Sequence, residues 1–464
     1  MDTPIIRHEL RHLEAWYRRE GRKPLIIQGA RQVGKSTLVR QFASQNDLQL
    51  LEINFERNPE FRQAFEANDP ASILTTLQLL TGSEFTPPNA ILFLDEIQAA
   101  PEAIAALRYF YEERPDIPVL AAGSLLEFTL SNAQFSMPVG RVEYMYMGPI
   151  AFADFLLAVG EGGLARHLVE MTLADIEKKS MPAAIHNKLM TLFRQYCVVG
   201  GMPEAVARYV THRSYAEVLR VQSSVLATYR DDFNKYSHGA MTRRVQLVFD
   251  RAPTLVGNKF KYVHVSRDHR AAELKDALSQ LCMARVLTRV HHSSANGVPL
   301  GAVQKGNIFK VLFMDVGLLC SVLGINELNI QQDGPHLVNK GAVAEQFIGQ
   351  HLLYTEDYYQ SPALFYWTRE AKSAAAEVDY LLPIDRQIIP VEIKAGATGA
   401  LRSLHQFCQE KQGSYALRFN AEPPSVLKSA TATTAAGKVT YNLLSLPLYM
   451  VGETKRLVKE LLVI

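Results

Sequence analysis

Cysteine is scarce in this sequence: the four residues Cys197, Cys282, Cys320 and Cys408 stand far apart and form no C-x-x-C pair. That spacing argues against a zinc site or a disulfide framework and suits a reducing compartment. An excess of either charge is missing as well, with 49 Lys and Arg against 47 Asp and Glu and a formal net charge of +2. The whole-chain field therefore does not announce a nucleic-acid binder, although a local basic face is compatible with that average. No run comes near the roughly 20 apolar residues that a membrane-crossing helix needs. The first residues, MDTPIIRHELRHLEAWYRRE, are charged throughout and contain no apolar signal-peptide core. The expectation is a soluble, cytoplasmic protein with no membrane partner. Internal repeats and low-complexity tracts are lacking too.

What is present is the balance of a globular protein, 48% apolar and 21% charged, in 464 residues, which is too long for one ordinary core. From Pro24 to about Pro149 the runs PLIIQG, LQLLEINF, AILFLDE, PVLAAGS and VEYMYM read as buried strands. Between them KSTLVRQFASQ and PEAIAALRYFYEE have helical spacing, the second with proline at a first-turn position. Alternating strand and helix predicts a parallel sheet covered on both faces. From Ile150 to about His238 the pattern is nearly all helix, interrupted by VGGMPEA. Two further helices then precede VLTRVHHSS and GNIFKVLFMD, a hairpin around a turn containing Asn296 and Gly297, which together suggest a winged-helix-like module.

GARQVGKST fits G-x-x-x-x-G-K-[ST] directly after an apolar strand and directly before a helix. In that context the backbone N–H groups of Gly29, Ala30, Arg31, Gln32, Val33 and Gly34, with Lys35, Ser36 and Thr37, cradle the phosphates of ATP. Lys35 would reach the β- and γ-phosphates and Ser36 would bind Mg²⁺. ILFLDEIQ supplies the partner strand: Asp95 at its end holds the Mg²⁺ shell, and Glu96 suits a general base that orients a hydrolytic water. Helix capping is the plainer role for this acidic pair. VLAAGS ends in Ser124, placed to sense the γ-phosphate.

Glu96, the Ser124 strand and GRVEYMYMGPIAF resemble the AAA+ ATPases, in particular a bacterial and archaeal AAA family with a C-terminal domain of unknown function that is restriction-endonuclease-like. GGMPEAV, LFMDVGLL and KGAVAEQFIGQHL extend the resemblance over nearly the whole chain. It implies assembly into a homo-oligomer and places Arg141, in VGRVEY, where an arginine finger would reach a neighbouring subunit's γ-phosphate. A surface salt bridge is the plainer reading of Arg141.

The stretch EVDYLLPIDRQIIPVEIKAG, Glu377 to Gly396, carries a second constellation. Residues two apart on a strand share a face, so Glu392 and Lys394 lie on one side, and pairing through the Ile384–Gln387 turn brings Asp379 near them. Two carboxylates offer hard oxygen ligands to a divalent ion, and the lysine would activate a water. This D…E-x-K arrangement resembles the PD-(D/E)XK nucleases, which implies Glu345, on the preceding helix, as a further metal ligand. The proline that usually precedes the aspartate is replaced by Val378. An exposed hairpin with a surface Glu–Lys pair is the bland alternative.

The expected fold class is α/β, with a P-loop AAA+ parallel-sheet core at 1–150, a helical region at 151–240, a winged-helix-like region at 241–335 and a nuclease-like domain at 336–464. His291 and His292 read as a wing tip, and Arg243, Arg244, Arg267 and Arg270 as a cluster able to meet phosphates. The expected function is Mg²⁺-dependent ATP hydrolysis coupled to a metal-dependent nuclease-like domain acting on DNA. The alternative is a nucleotide-switched regulator or assembly platform whose C-terminal domain only binds.

Overall fold

The computed structural model describes residues 5–87, 89–131, 140–326, 340–354, 357–369, 376–396, 401–434 and 437–463. The chain divides into two compact units: Met1–Pro149 with Met283–Val286 and Glu356–Ser361, and Ile150–Cys282 with Leu287–Thr355 and Pro362–Ile464. The expected boundary between 335 and 336 lies outside the described residues.

In the first unit β1 (Leu25–Gln28), β2 (Gln49–Asn54), β3 (Ala90–Asp95), β4 (Val119–Gly123) and β5 (Glu143–Tyr146) form one sheet in the order β2-β3-β4-β1-β5. Every pairing in it is parallel. Strands β1, β3 and β4 are buried at each residue because neighbours flank them and helices cover them, whereas edge strand β2 alternates. Helix Pro101–Glu113 starts on its proline and buries Ile104, Leu107 and Phe110 in the core that Leu92, Leu94 and Ala121 line. Parallel register sets Asn54 beside Asp95 and Asp95 beside Ala122, so the polar strand ends share one edge of the sheet.

The second unit begins with helices, among them Ala183–Val199, Pro203–His212 and Tyr215–Tyr236. Its sheet comprises β6 (Leu287–Ser293), β7 (Gln304–Phe313), β8 (Leu364–Arg369), β9 (Ala376–Ile384), β10 (Gln387–Ile393), β11 (Tyr415–Asn420), β12 (Ser425–Thr434) and β13 (Gly437–Pro447). The order is β12-β13-β11-β10-β9-β8-β6-β7. The hairpin read as a wing is present, but β6 pairs parallel with β8, so the hairpin forms one edge of this sheet. Its buried Val290, Phe309, Val311 and Phe313 explain why: a free wing would leave them in water. His291 and His292 consequently sit inside β6, opposite Phe365 and Tyr366, and not at a tip.

Two of the quoted motifs meet in this unit. Asp315 caps helix Val316–Val322 by accepting from Leu318 N at 3.0 Å, and its other oxygen accepts from Gly201 N at 2.7 Å. A Cβ on Gly317 would stand 2.5 Å from Gly200 N, so GGMPEA and LFMDVGLL touch backbone to backbone.

Candidate functional site

The phosphate-binding motif folds as a tight loop between β1 and helix Lys35–Gln45, with Gln32 and Gly34 in the left-handed region at φ 62° and 94°. Gly29 admits no side chain, since a Cβ would lie 2.4 Å from Met147 O. Buried Arg7 holds the loop by donating to Val33 O at 2.7 Å. Lys35 Nζ donates to Gly29 O at 3.1 Å and Ala30 O at 2.9 Å, and burial pulls its pKa down to about 8 against the pull of Glu96 and Asp95. Ala30, Val33 and Gly34 complete the turn, Arg31 lies 3.7 Å from Glu56, and Thr37 is exposed on the helix.

Asp95, at the end of β3, accepts from Ser36 Oγ at 3.0 Å, from Asn54 Nδ2 at 3.1 Å and from Glu96 N at 3.2 Å. Burial, then the neighbouring Glu96, pushes its carboxyl above the usual range. Glu96 has left-handed backbone, φ 51° and ψ 46°, and its Oε2 accepts from Gln98 Nε2 at 2.7 Å. A non-glycine residue in this region marks strain of the kind stored at functional sites. Ser124 is 5% exposed, and its Oγ has no hydrogen-bond partner among the described residues. Hard oxygen donors on Ser36 and Asp95, next to the phosphate-binding loop, fit a Mg²⁺-nucleotide.

Two neighbours carry no motif signal. Asn54 comes from β2, and Arg285 comes from the short Met283–Val286 segment of this unit. Arg285 Nη2 donates to Gln28 Oε1 at 2.8 Å and to Glu127 Oε1 at 2.5 Å, and its guanidinium lies over the Tyr146 ring. Arg141 is held elsewhere, in an exposed ion pair with Glu112 at 2.7 Å.

In the second unit the residues of the acidic stretch do come together. Antiparallel pairing of β9 with β10 sets Val391 opposite Tyr380, and Asp379 Oδ2 accepts from Ile393 N at 2.7 Å. Lys394 Nζ lies 2.5 Å from Glu392 Oε1, while Glu392 Oε2 is buried with no hydrogen-bond partner among the described residues. Glu345 arrives on helix Lys340–Leu352, which packs close because Gly349 lets Tyr380 pass beneath and donate its hydroxyl to Glu345 O at 2.9 Å.

Sequence reasoning missed the residue at the centre of this cluster. Lys310 of β7 is 1% exposed, and its Nζ lies 2.9 Å from Glu345 Oε1, 2.6 Å from Glu377 Oε1 and 3.8 Å from Asp379 Oδ1. The signal was a single lysine inside the apolar run IFKVLF. Burial raises the carboxyls of Glu345, Asp379 and Glu392. Burial also opposes the Lys310 ammonium, but Glu345, Asp379 and Glu377 outweigh it and hold this group above its ordinary range. The first trend favours neutral partners and the second an ion-paired cluster; contacts of 2.6 and 2.9 Å are those of an ion pair. Carboxylate oxygens of Glu345, Asp379 and Glu392 do not converge within 4.8 Å of one another. As arranged, then, the three carboxylates do not form one compact ligand set.

An AAA domain model matches residues 21–156. This part of the chain is an AAA-type P-loop ATPase domain. Two domains of unknown function match further parts of the chain, DUF8612 at 190–329 and DUF4143 at 340–447. Lys310 thus belongs to one matched region and its carboxylate partners to the other. No curated protein matches the chain. Among solved structures, the Walker-type ATPase PABY2304 of Pyrococcus abyssi is 16% identical, covering 69% of this chain and 98% of its own, at a TM-score of 0.43. The Aeropyrum pernix ORC2 protein in ADPNP-ADP complexes is 13% identical over 72% and 97%, at 0.33. The Thermotoga maritima RuvB Holliday junction branch migration motor is 17% identical over 62% and 90%, at 0.29. Scores this low carry nothing further, and the nucleotide site of the AAA domain rests on its own match and geometry. No helix among the described residues is long and apolar enough to cross a membrane.

Proposed function

We propose that the protein hydrolyses ATP at the AAA domain, with Glu96 as the base for the attacking water. The observation that supports this most is the row of Ser36, Asp95 and Glu96, with Lys35 of the P-loop buried and drawn by the charges of Glu96 and Asp95. Lys35 releases its own loop carbonyls to meet the β- and γ-phosphates, and the backbone N–H groups of Gly29–Thr37 hold the phosphate chain. Glu96, fixed by Gln98, accepts the proton of the water as it attacks. Ser36 and Asp95 would hold Mg²⁺, which would offset negative charge developing on the phosphates.

For the second unit, Lys310 favours one of two readings. In that reading the protein is a nucleotide-switched regulator or assembly platform, whose nuclease-like domain binds, with DNA as its proposed partner, and does not cut. In the other, Asp379, Glu392 and Lys394, with Glu345, form a metal-dependent nuclease site. One reaction tests both halves: protein, ATP and Mg²⁺ with single- and double-stranded DNA, reading phosphate release and strand breaks together. Phosphate release with intact DNA is expected. Absent phosphate release rejects the ATPase reading, and strand breaks that vanish in Asp379→Asn and in Lys394→Met restore the nuclease.

Self-association is proposed as well, with Arg141 leaving Glu112 to reach the γ-phosphate of a neighbouring copy. Light scattering of Glu96→Gln with ATP is expected to report a species larger than one chain. Turnover per chain should rise with protein concentration, and Arg141→Ala should remove that rise. A strictly monomeric species throughout the micromolar range would reject a role for Arg141 in trans.

A further inference from the structure

We infer that Lys310 is the resident cation of the acidic cluster, its ammonium filling the place among Glu345, Glu377 and Asp379 that a divalent ion would otherwise take. The inference deepens the non-cleaving reading of the second unit, and it holds whether or not the AAA domain turns over ATP.

The geometry is that of a built site. A lysine ammonium has three N–H donors and no acceptor. Two of them meet carboxylates at hydrogen-bond distance, from helix Lys340–Leu352 and from β9, with Asp379 3.8 Å away. The ring of Tyr366 on β8 covers another side, 5.3 Å from Nζ, and adds the attraction of its π face. Lys310 is the less exposed partner in each of these three carboxylate pairs. Its backbone is fixed in β7 opposite Val290, so the ammonium is delivered by the fold and not by a mobile arm.

A charge buried in this way is tolerated only when paired, because its loss of hydration must be offset by close opposite charge. The same reasoning applies to the carboxylates, which would repel one another without a cation between them. A divalent ion entering here would have to expel Lys310 from a place that is 1% exposed, or share the carboxylates with a positive charge already in contact with them. Lys394 does not serve instead, since it lies on Glu392. The cluster therefore ties β7, β9 and the Glu345 helix together without any ion, and this unit reaches its fold metal-free.

Ion uptake separates this from DNA binding and cleavage. The full-length protein, without nucleotide, is titrated with Mn²⁺ by calorimetry and electron paramagnetic resonance, alongside Asp379→Asn, Lys310→Met and the double variant. Wild type and Asp379→Asn are expected to take up the same Mn²⁺. Lys310→Met is expected to gain a Mn²⁺ that the double variant lacks, and to melt at a temperature that rises with Mn²⁺ while that of wild type does not. An additional Mn²⁺ in wild type relative to Asp379→Asn overturns the inference, as does a folded Lys310→Met that gains none. If Lys310→Met does not fold without ion, the comparison of wild type with Asp379→Asn still decides.

Discussion

Glu96→Gln is expected to lower ATP turnover on the order of 10²–10⁴-fold, the share usually carried by a positioned general base, while nucleotide binding persists. The amide has nearly the shape of the carboxylate but cannot accept a proton from water. Gln98 would still find an oxygen acceptor on the new side chain, so the left-handed turn after β3 keeps its support. Lys35→Ala should behave differently. It removes the buried charge that faces the phosphates, so binding itself is lost. Measuring nucleotide affinity by fluorescence and phosphate release on both variants separates the two roles. Turnover of Glu96→Gln at the wild-type rate would show that another group takes the proton.

The second large effect concerns stability. Gly317→Ala puts a methyl group 2.5 Å from Gly200 N, 2.6 Å from Gly200 Cα and 2.7 Å from Val199 C, all of them backbone atoms. None can rotate away as a side chain would, so the two segments must separate. Overpacking of this sort costs about 1–3 kcal/mol, and more if the Asp315 bond to Gly201 N breaks with it. Gly163→Ala is the matched control. It lies in helix Gly162–Glu170 with nothing among the described residues within 4 Å of the added carbon, and replacing a helical glycine there should stabilise by up to about 1 kcal/mol. Denaturant melts of both variants should therefore move in opposite directions. Equal stability of Gly317→Ala and wild type would mean that the contact between the two motifs is not close in solution.

Much of the nucleotide site was legible because its signals are local. A strand, a glycine loop and a helix follow one another within the twenty-one residues Leu25–Gln45, and Asp95 ends an unbroken apolar strand. The β9–β10 hairpin was legible for the same reason, since a two-residue turn leaves its strands little choice of register. The wing shows the limit. Its hairpin was readable from alternating patches and a turn, but nothing in β6 or β7 names β8 as the next strand.

By itself, then, the sequence determined the P-loop, the acidic strand end and the convergence of Asp379, Glu392 and Lys394, because each rests on a period or spacing shorter than one turn and two elements. Tertiary structure alone decided that Arg285 joins Gln28 and Glu127, that Asn54 steadies Asp95, and that Lys310 lies among Glu345, Glu377 and Asp379. Those meetings depend on which strands are neighbours across long connections. A lysine in an apolar run looks like a fault in the pattern until the carboxylates that neutralise it arrive from a different part of the chain.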